Sequence, residues 1–439
     1  MGAILIAHTD RDQFSSHIPL ILLALTALAV LAYLPVFSFP FISDDFVQIP
    51  LARQYGNITG WAQLAHDPGS RYRATYFLLS YGLDHIFGFR PLPFYIASVS
   101  LHVLCVWLVF ALGAWDVIGW RVSALSASFF AIYEGHQEAV MWVAASMELL
   151  LFLFGFMCLL AWVLWLKNRH WWIYGAALVS FFVTLFSKES SWIIVPLMLL
   201  PVLTARPNWQ RGIIGLIPFG GTALAYVIWI MGTRTSNPRF RDGSFSSSAP
   251  WLLTLTNSSW RVLFVWGIIS LAALLFWKAR EFRTLSIVAL IWILLGLLPY
   301  SFLTYMSKVP SRHTYLASVG LAWIVAAALV KMHENAPRWL SIVVVVLILL
   351  HNIGILWVKK RAQFLERAAP TQKLMEIAAI AKGPLYLHCF PYASVVAEYA
   401  VRPTGHELII DPKPIPGPDC FSVTFSDKQG NVHTYTWKR

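Results

Sequence analysis

Residues 18–38 read IPLILLALTALAVLAYLPVFS, and residues 39–46 that follow read FPFISDDF. The first stretch has no charged side chain and matches the roughly 20 apolar residues a helix needs to cross a bilayer core about 30 Å thick. Two adjacent carboxylates, Asp44 and Asp45, follow it directly. Charge at a membrane boundary is costly unless it is solvated, paired or used. Together these stretches predict a membrane protein whose chemistry begins where its first helix ends.

The rest of the chain extends that reading. Of its 439 residues 58% are hydrophobic and 12% charged, against roughly 25% charged residues in a soluble domain. Further apolar runs fall at approximately 92–112, 121–134, 148–166, 171–187, 190–204, 212–232, 258–277, 284–302, 314–330 and 339–358. The fold class expected is therefore an all-α polytopic membrane protein with about eleven transmembrane helices. The first run is longer than a signal-peptide core, and Asp10 and Asp12 flank the single Arg11, so it is expected to be retained. No repeat of 20–50 residues is evident.

Beyond residue 358 the character changes. A charged amphipathic helix carries Phe364, Leu365, Leu374 and Ile377. Pro384 to Leu387 has the pattern of a strand. Phe421–Phe425 and Val432–Trp437 alternate around Asp427–Asn431 as a hairpin does. Two domains are expected: a transmembrane catalytic domain, 1–358, with 39–91 as its first external segment, and a small C-terminal α/β extramembrane domain, 359–439. Cys389 and Cys420 can pair there if the compartment is oxidising, whereas Cys105 and Cys158 lie in apolar runs and are packing residues.

The net charge of +12 suits anionic lipid headgroups. No basic stripe or binding motif speaks for nucleic acid. Basic clusters at Lys167–Arg169, Arg206–Arg211, Lys278–Arg283 and Lys331–Arg338 fall on one side under this span order. The positive-inside rule makes that side cytoplasmic. It leaves 39–91, 135–147, 233–257 and the tail on the outside, with the amino terminus inside. Lys359, Lys360 and Arg361 go against the pattern.

The external segment holds Gly69-Ser70-Arg71-Tyr72-Arg73, then Asp84 and Arg90. Carboxylates, arginines and aromatics between two membrane helices suit a polar substrate at the surface. A guanidinium offers phosphate a planar fork of donors, and aromatic faces suit sugar rings.

These residues carry a resemblance. Asp-Asp-aromatic after one helix, then a Tyr-Arg element (Tyr72, Arg73) and Leu101-His102, resemble the GT-C superfamily of multi-spanning glycosyltransferases. The resemblance is to the protein O-mannosyltransferase-like members and the bacterial relatives of the tetratricopeptide-containing transmembrane O-mannosyltransferases. His136-Gln137-Glu138-Ala139-Val140-Met141-Trp142 is similar to their His-x-Glu-Ala-Val-x-Trp element. Ser187-Lys188-Glu189 and Arg312-His313-Thr314-Tyr315-Leu316-Ala317-Ser318-Val319-Gly320 match two more in order. Tyr133 stands where those relatives have a further His, Ala74 and Ala317 where they have Pro, and no tetratricopeptide repeats follow.

The resemblance implies an inverting transfer of sugar from a polyprenyl-phosphate donor to a glycolipid, glycan or protein acceptor at the external face of the membrane. The lack of organelle signals and the small tail lead to the expectation of a bacterial inner membrane. It implies Asp44 or Asp45 as general base, and Arg73, Lys188 and Arg312 at the donor phosphate. Tyr72, His136, Glu138, Glu189 and Tyr315 are the candidates for substrate contact. Glu134, His136 and Glu138 sit close enough in sequence to suggest part of a metal site, but hydrogen bonding to sugar or to the Asp pair is the better reading, and no cofactor is expected. His102, inside an apolar helix, is expected to bond a neighbouring helix. The main alternative is a lipid or glycan transporter. The missing repeat and the clustering of charged motifs at one interface speak against it. An O-antigen ligase or polymerase would place its key residues in a large late loop, and a noncatalytic scaffold would not need the Asp pair.

Overall fold

A computed structural model describes residues 17–204, 209–411 and 420–438. The flank around Arg11 and the Arg206 end of one basic connection lie outside the described residues.

Every apolar run folds as helix. The first, α1 (Ile18–Tyr33), opens with Pro19 in its first turn, where a missing N–H costs nothing, and ends in a 3₁₀ turn over Leu34–Ser38. The segment 39–91 follows, with the helices α2 (Asp45–Tyr55) and α3 (Ala74–Phe87) and a short helical turn at Trp61–His66 between them. Then come α4 (Pro91–Ala111), α5 (Gly119–Ile132), α6 (Met147–Asn168), α7 (Trp171–Leu185), α8 (Ile194–Thr204) and α9 (Trp209–Gly232). The second half holds α10 (Trp251–Leu263), α11 (Trp266–Phe276), α12 (Arg283–Leu297), α13 (Ser318–Asn335), α14 (Arg338–Gly354) and α15 (Arg361–Ile380).

Among the described residues, six helical stretches are long and apolar enough to cross a membrane, or seven if the bent pair α10–α11 counts as one span. Of the eleven apolar runs in the sequence, several fold as apolar helices too short to be counted by this length, among them Trp171–Leu185 and Glu189–Thr204. The α10–α11 pair turns by 72° at Val265, whose φ of 64° is unusual for a β-branched residue. The expected span over 258–277 thus divides at a corner.

Packing inside the bundle relies on small residues. Ser318 to Ala328 of α13 are buried throughout. A Cβ on Gly320 would lie 2.4 Å from the Ala289 carbonyl oxygen, so this glycine sets how closely α12 and α13 approach. His102 bonds the Ala131 carbonyl on α5 (3.0 Å) and the Tyr315 hydroxyl (2.6 Å), the interhelical role expected of it.

The helix from Arg338 is continuous to Ile380, passing through a π-helical stretch at Ile355–Lys360. Its 43 residues span about 65 Å at 1.5 Å per residue, twice the hydrocarbon thickness. A helix of that length is longer than a bilayer core is thick. The tail folds on it as α16 (Ser394–Val401) and a sheet of β1 (Leu385–Cys389), β2 (Leu408–Ile410), β3 (Cys420–Ser426) and β4 (Val432–Lys438) in the order β2-β1-β3-β4. Strands β3 and β4 form the expected antiparallel hairpin, and β1 pairs parallel with β2. Cys389 and Cys420 are joined by a disulfide. Val396 and Ala400 of α16 join the main core, so the tail packs against the bundle.

Candidate active site at one end of the bundle

The turn before α2 separates the two aspartates. Ser43 adopts φ 48°, Asp44 caps the helix and Asp45 is its first residue. Consecutive helical residues point about 100° apart, and these two side chains go to different places. Asp44 is exposed and lines a cavity of about 1,090 Å³. Asp45 is buried. Its carboxylate accepts the Ile42 N–H at 2.9 Å and the Ala144 N–H at 2.7 Å. Burial pushes its pKa up to about 7, with the two N–H groups pulling the other way. Asp45 thus ties the segment 39–91 to the turn after Trp142.

The cavity gathers segments far apart in sequence. Arg73 enters from a 3₁₀ turn at Arg71–Arg73, which Arg71 anchors through Thr233 and the Trp229 ring, 4.2 Å away. Arg73 itself is buried and donates to Glu189 at 2.7 Å. Lys188 is extended (φ −167°, ψ 154°), so its side chain and that of Glu189 point opposite ways. Lys188 reaches Glu148 in a buried ion pair and lies 3.1 Å from Nδ1 of His313. His313 bonds the same carboxylate at 2.5 Å and stacks on Tyr300 at 4.2 Å. Burial and the neighbouring Lys188 bring the His313 imidazole down to about 3, so it is neutral at neutral pH. Arg312 completes the polar wall, with its backbone N–H and guanidinium on Glu138 at 3.2 and 3.4 Å.

Asp44, Arg73, Lys188, Glu189 and Arg312 thus share one cavity with Glu148, Tyr300 and His313. The lining also holds apolar side chains, Val227, Ile230 and Met231 from the end of α9 and Phe240, Phe245, Phe302 and Leu303 from the following loops, together with the polar Arg234, Arg241 and Asp242.

The other sequence candidates lie elsewhere. Tyr72 is buried behind Arg71, its hydroxyl 2.6 Å from that guanidinium. His136 and Tyr315 belong to an aromatic core with His102 and Phe130; His136 bonds Ser318 at 2.6 Å. Glu138 stands behind Arg312, beside a second cavity of about 250 Å³. Among the described residues no group of three or more His, Cys, Asp or Glu side chains is placed to hold a metal ion.

Sequence reasoning passed over Glu148, Tyr300 and His313. Glu148 is the first polar residue of an otherwise apolar run, and an acid in the middle of a membrane protein was its available signal. His313 sits beside Arg312 in a motif already quoted.

No family model matches the chain, and no curated protein matches it in sequence. Solved structures do. The oligosaccharyltransferase AglB from Archaeoglobus fulgidus, in complex with an inhibitory peptide and a dolichol-phosphate, is similar at 13% identity with a TM-score of 0.51, over 82% of this chain and 57% of that one. The same archaeal enzyme tethered to an acceptor peptide is similar at 13% identity and 0.51, over 84% and 58%. ArnT from Cupriavidus metallidurans in the apo state is similar at 14% identity with a TM-score of 0.49, over 90% and 86%. This chain spans less than two thirds of the archaeal enzyme's length. At such identities the likeness is one of fold: a polytopic, GT-C-like architecture.

Proposed function

We propose that this chain is an inverting glycosyltransferase, with the large cavity as its active site and a polyprenyl-phosphate sugar as its donor. The observation that carries the reading is the composition of that cavity. Asp44, an exposed carboxylate, shares it with Arg73, Lys188 and Arg312, and apolar side chains such as Val227, Ile230 and Met231 line it too. Such a space suits a phosphate at the end of a lipid chain. AglB, which shares the fold, is an oligosaccharyltransferase observed with a dolichol-phosphate.

In the reaction, Asp44 takes the proton of the acceptor hydroxyl as its oxygen attacks the anomeric carbon. The bond from that carbon to the phosphate oxygen breaks, and polyprenyl phosphate leaves with the electron pair. Its growing charge is met by the cations already fixed around the cavity, and such preorganised charge is usually the largest catalytic contribution. Arg73 and Lys188 are each tied to a carboxylate, Glu189 and Glu148, which holds them in place before the donor arrives. The sequence motifs favour an O-mannosyltransferase-like member of the class. The acceptor is a glycolipid, glycan or protein hydroxyl.

The cavity end of the bundle faces the outside in this reading, the periplasm of a bacterial inner membrane. The opposite end carries Lys167, Arg169, Lys278, Arg280, Arg283 and Arg338, as the cytoplasmic side should. The disulfide in the tail suits an oxidising compartment.

The test is turnover. Purified protein is incubated with a panel of radiolabelled polyprenyl-phosphate sugars, and release of sugar from lipid is followed for wild type and Asp44→Asn. Consumption of one donor, abolished by Asp44→Asn, is expected. No turnover of any donor, with lipid flux in proteoliposomes instead, would replace the reading with a transporter.

A further inference from the structure

The long helix from Arg338 returns one side chain to the site. Arg367 lies on α15, in the tail rather than the bundle. Its guanidinium covers the Trp142 ring at 4.5 Å, and Trp142 lines the large cavity. Arg312 lies over the same ring at 5.4 Å. Between the two arginines stands Glu138: Oε2 takes the Arg312 N–H groups, and Oε1 is 4.0 Å from the Arg367 guanidinium. One carboxylate and one indole thus link a tail residue to a cavity cation.

The link is firm at its tail end. Tyr392 donates to the Arg367 carbonyl at 2.5 Å, and Phe364, one turn before, stacks on Phe39 at 6.2 Å. It is firm at the cavity end too, where the Trp142 Nε1–H donates to the Ile42 carbonyl at 3.2 Å.

We propose that Arg367 is a positioning residue for the active site: by sharing the charge of Glu138 and covering Trp142, it leaves Arg312 aimed at, and electrically available to, an anionic group in the cavity. This rests on the reading of that cavity as a donor-phosphate site. The physical argument is a competition. Glu138 has one negative charge and two guanidinium neighbours. Without Arg367 the whole charge falls to Arg312, which is drawn onto Glu138 and neutralised as a phosphate ligand. The C-terminal unit is then part of the working site, and its docking against the bundle sets the cavity's affinity for phosphate.

The experiment measures binding of undecaprenyl phosphate to the full chain in detergent micelles. The variants are Arg367→Met, Glu138→Gln, the two combined, and Arg312→Met. Arg367→Met is expected to weaken binding roughly tenfold, the size of one lost charge-assisted contact. That loss is expected to vanish when Glu138 is already Gln, because nothing then competes for Arg312. A purely structural role, or a distant charge effect, would leave the loss in both backgrounds, and that result overturns the proposal. So does unchanged binding by Arg367→Met. If Arg312→Met binds normally, the phosphate reading of the cavity fails instead, and the two failures are distinct. Arg367→Lys keeps the charge and loses the flat face, and serves if Arg367→Met does not fold. It is expected to weaken binding by a smaller factor, and wild-type affinity would again overturn the proposal.

Discussion

Asp44 and Asp45 are neighbours of one residue type, and replacing each should break a different property. Asp45 accepts two buried backbone N–H groups, from Ile42 at 2.9 Å and Ala144 at 2.7 Å. A buried donor left unsatisfied costs about 1–3 kcal/mol. Asp45→Ala strands both, so its expected cost is about 2–6 kcal/mol, a large part of a typical 5–15 kcal/mol total. Asp45→Asn keeps one carbonyl oxygen for one of the two donors and should cost about 1–3 kcal/mol. Asp44 is exposed, and among the described residues its carboxylate accepts from the neighbouring Ser43 hydroxyl at 3.2 Å. Asp44→Asn should therefore change stability by less than about 0.5 kcal/mol, yet lower turnover about 100- to 10,000-fold if it is the general base. Unfolding in mixed micelles, followed by tryptophan fluorescence, gives the first quantity, and sugar release from the donor gives the second. The division of roles is refuted if Asp45→Ala is as stable as wild type, or if Asp44→Asn unfolds as readily as Asp45→Asn.

Other expectations follow from the same geometry. Asp45 holds its proton to about pH 7 when folded, against an ordinary value of 3.8. The folded chain thus binds the extra proton between these values, and Asp45's contribution to stability is full below about pH 4 and declines as pH rises towards 7. A pH series of melting temperatures should show that decline in wild type and lose it in Asp45→Asn. Glu148→Gln leaves Lys188 buried without its carboxylate and should cost about 3–5 kcal/mol. Combining Lys188→Met with Glu148→Leu should recover much of that stability, but not activity, when unfolding and turnover are measured side by side. Replacing Cys389 and Cys420 by Ser opens a 31-residue separation and should loosen the tail by about 3 kcal/mol, seen as faster proteolysis of residues beyond 380.

Much of this molecule is legible in its sequence, for identifiable reasons. Long uncharged runs such as 18–38 can hardly be anything but membrane helices, and alternation around Asp427–Asn431 locates the hairpin that β3 and β4 form. The Asp pair is conspicuous because charge beside apolar helices is rare. The division of labour between Asp44 and Asp45 is not legible, since it depends on the Ala144 N–H, a backbone group 99 residues away. Lys188 and Glu189 look like an adjacent ion pair. In the extended backbone they diverge, Lys188 to Glu148 and Glu189 to Arg73. Tyr72, His136 and Tyr315 belong to recognisable motifs yet pack in the buried interior and are not among the cavity's lining. The corner at Val265 within the run 258–277 is not legible either, since apolar composition continues across it.

The most direct test of the central claim is where a donor's phosphate sits. A cryo-EM map of the protein with bound undecaprenyl phosphate should place the phosphate within hydrogen-bonding reach of Arg73, Lys188 or Arg312, with Asp44 facing it across the cavity and the lipid chain along Val227, Ile230 and Met231. Phosphate density on another surface of the bundle, or a lipid threaded through the bundle to the basic end, would contradict it.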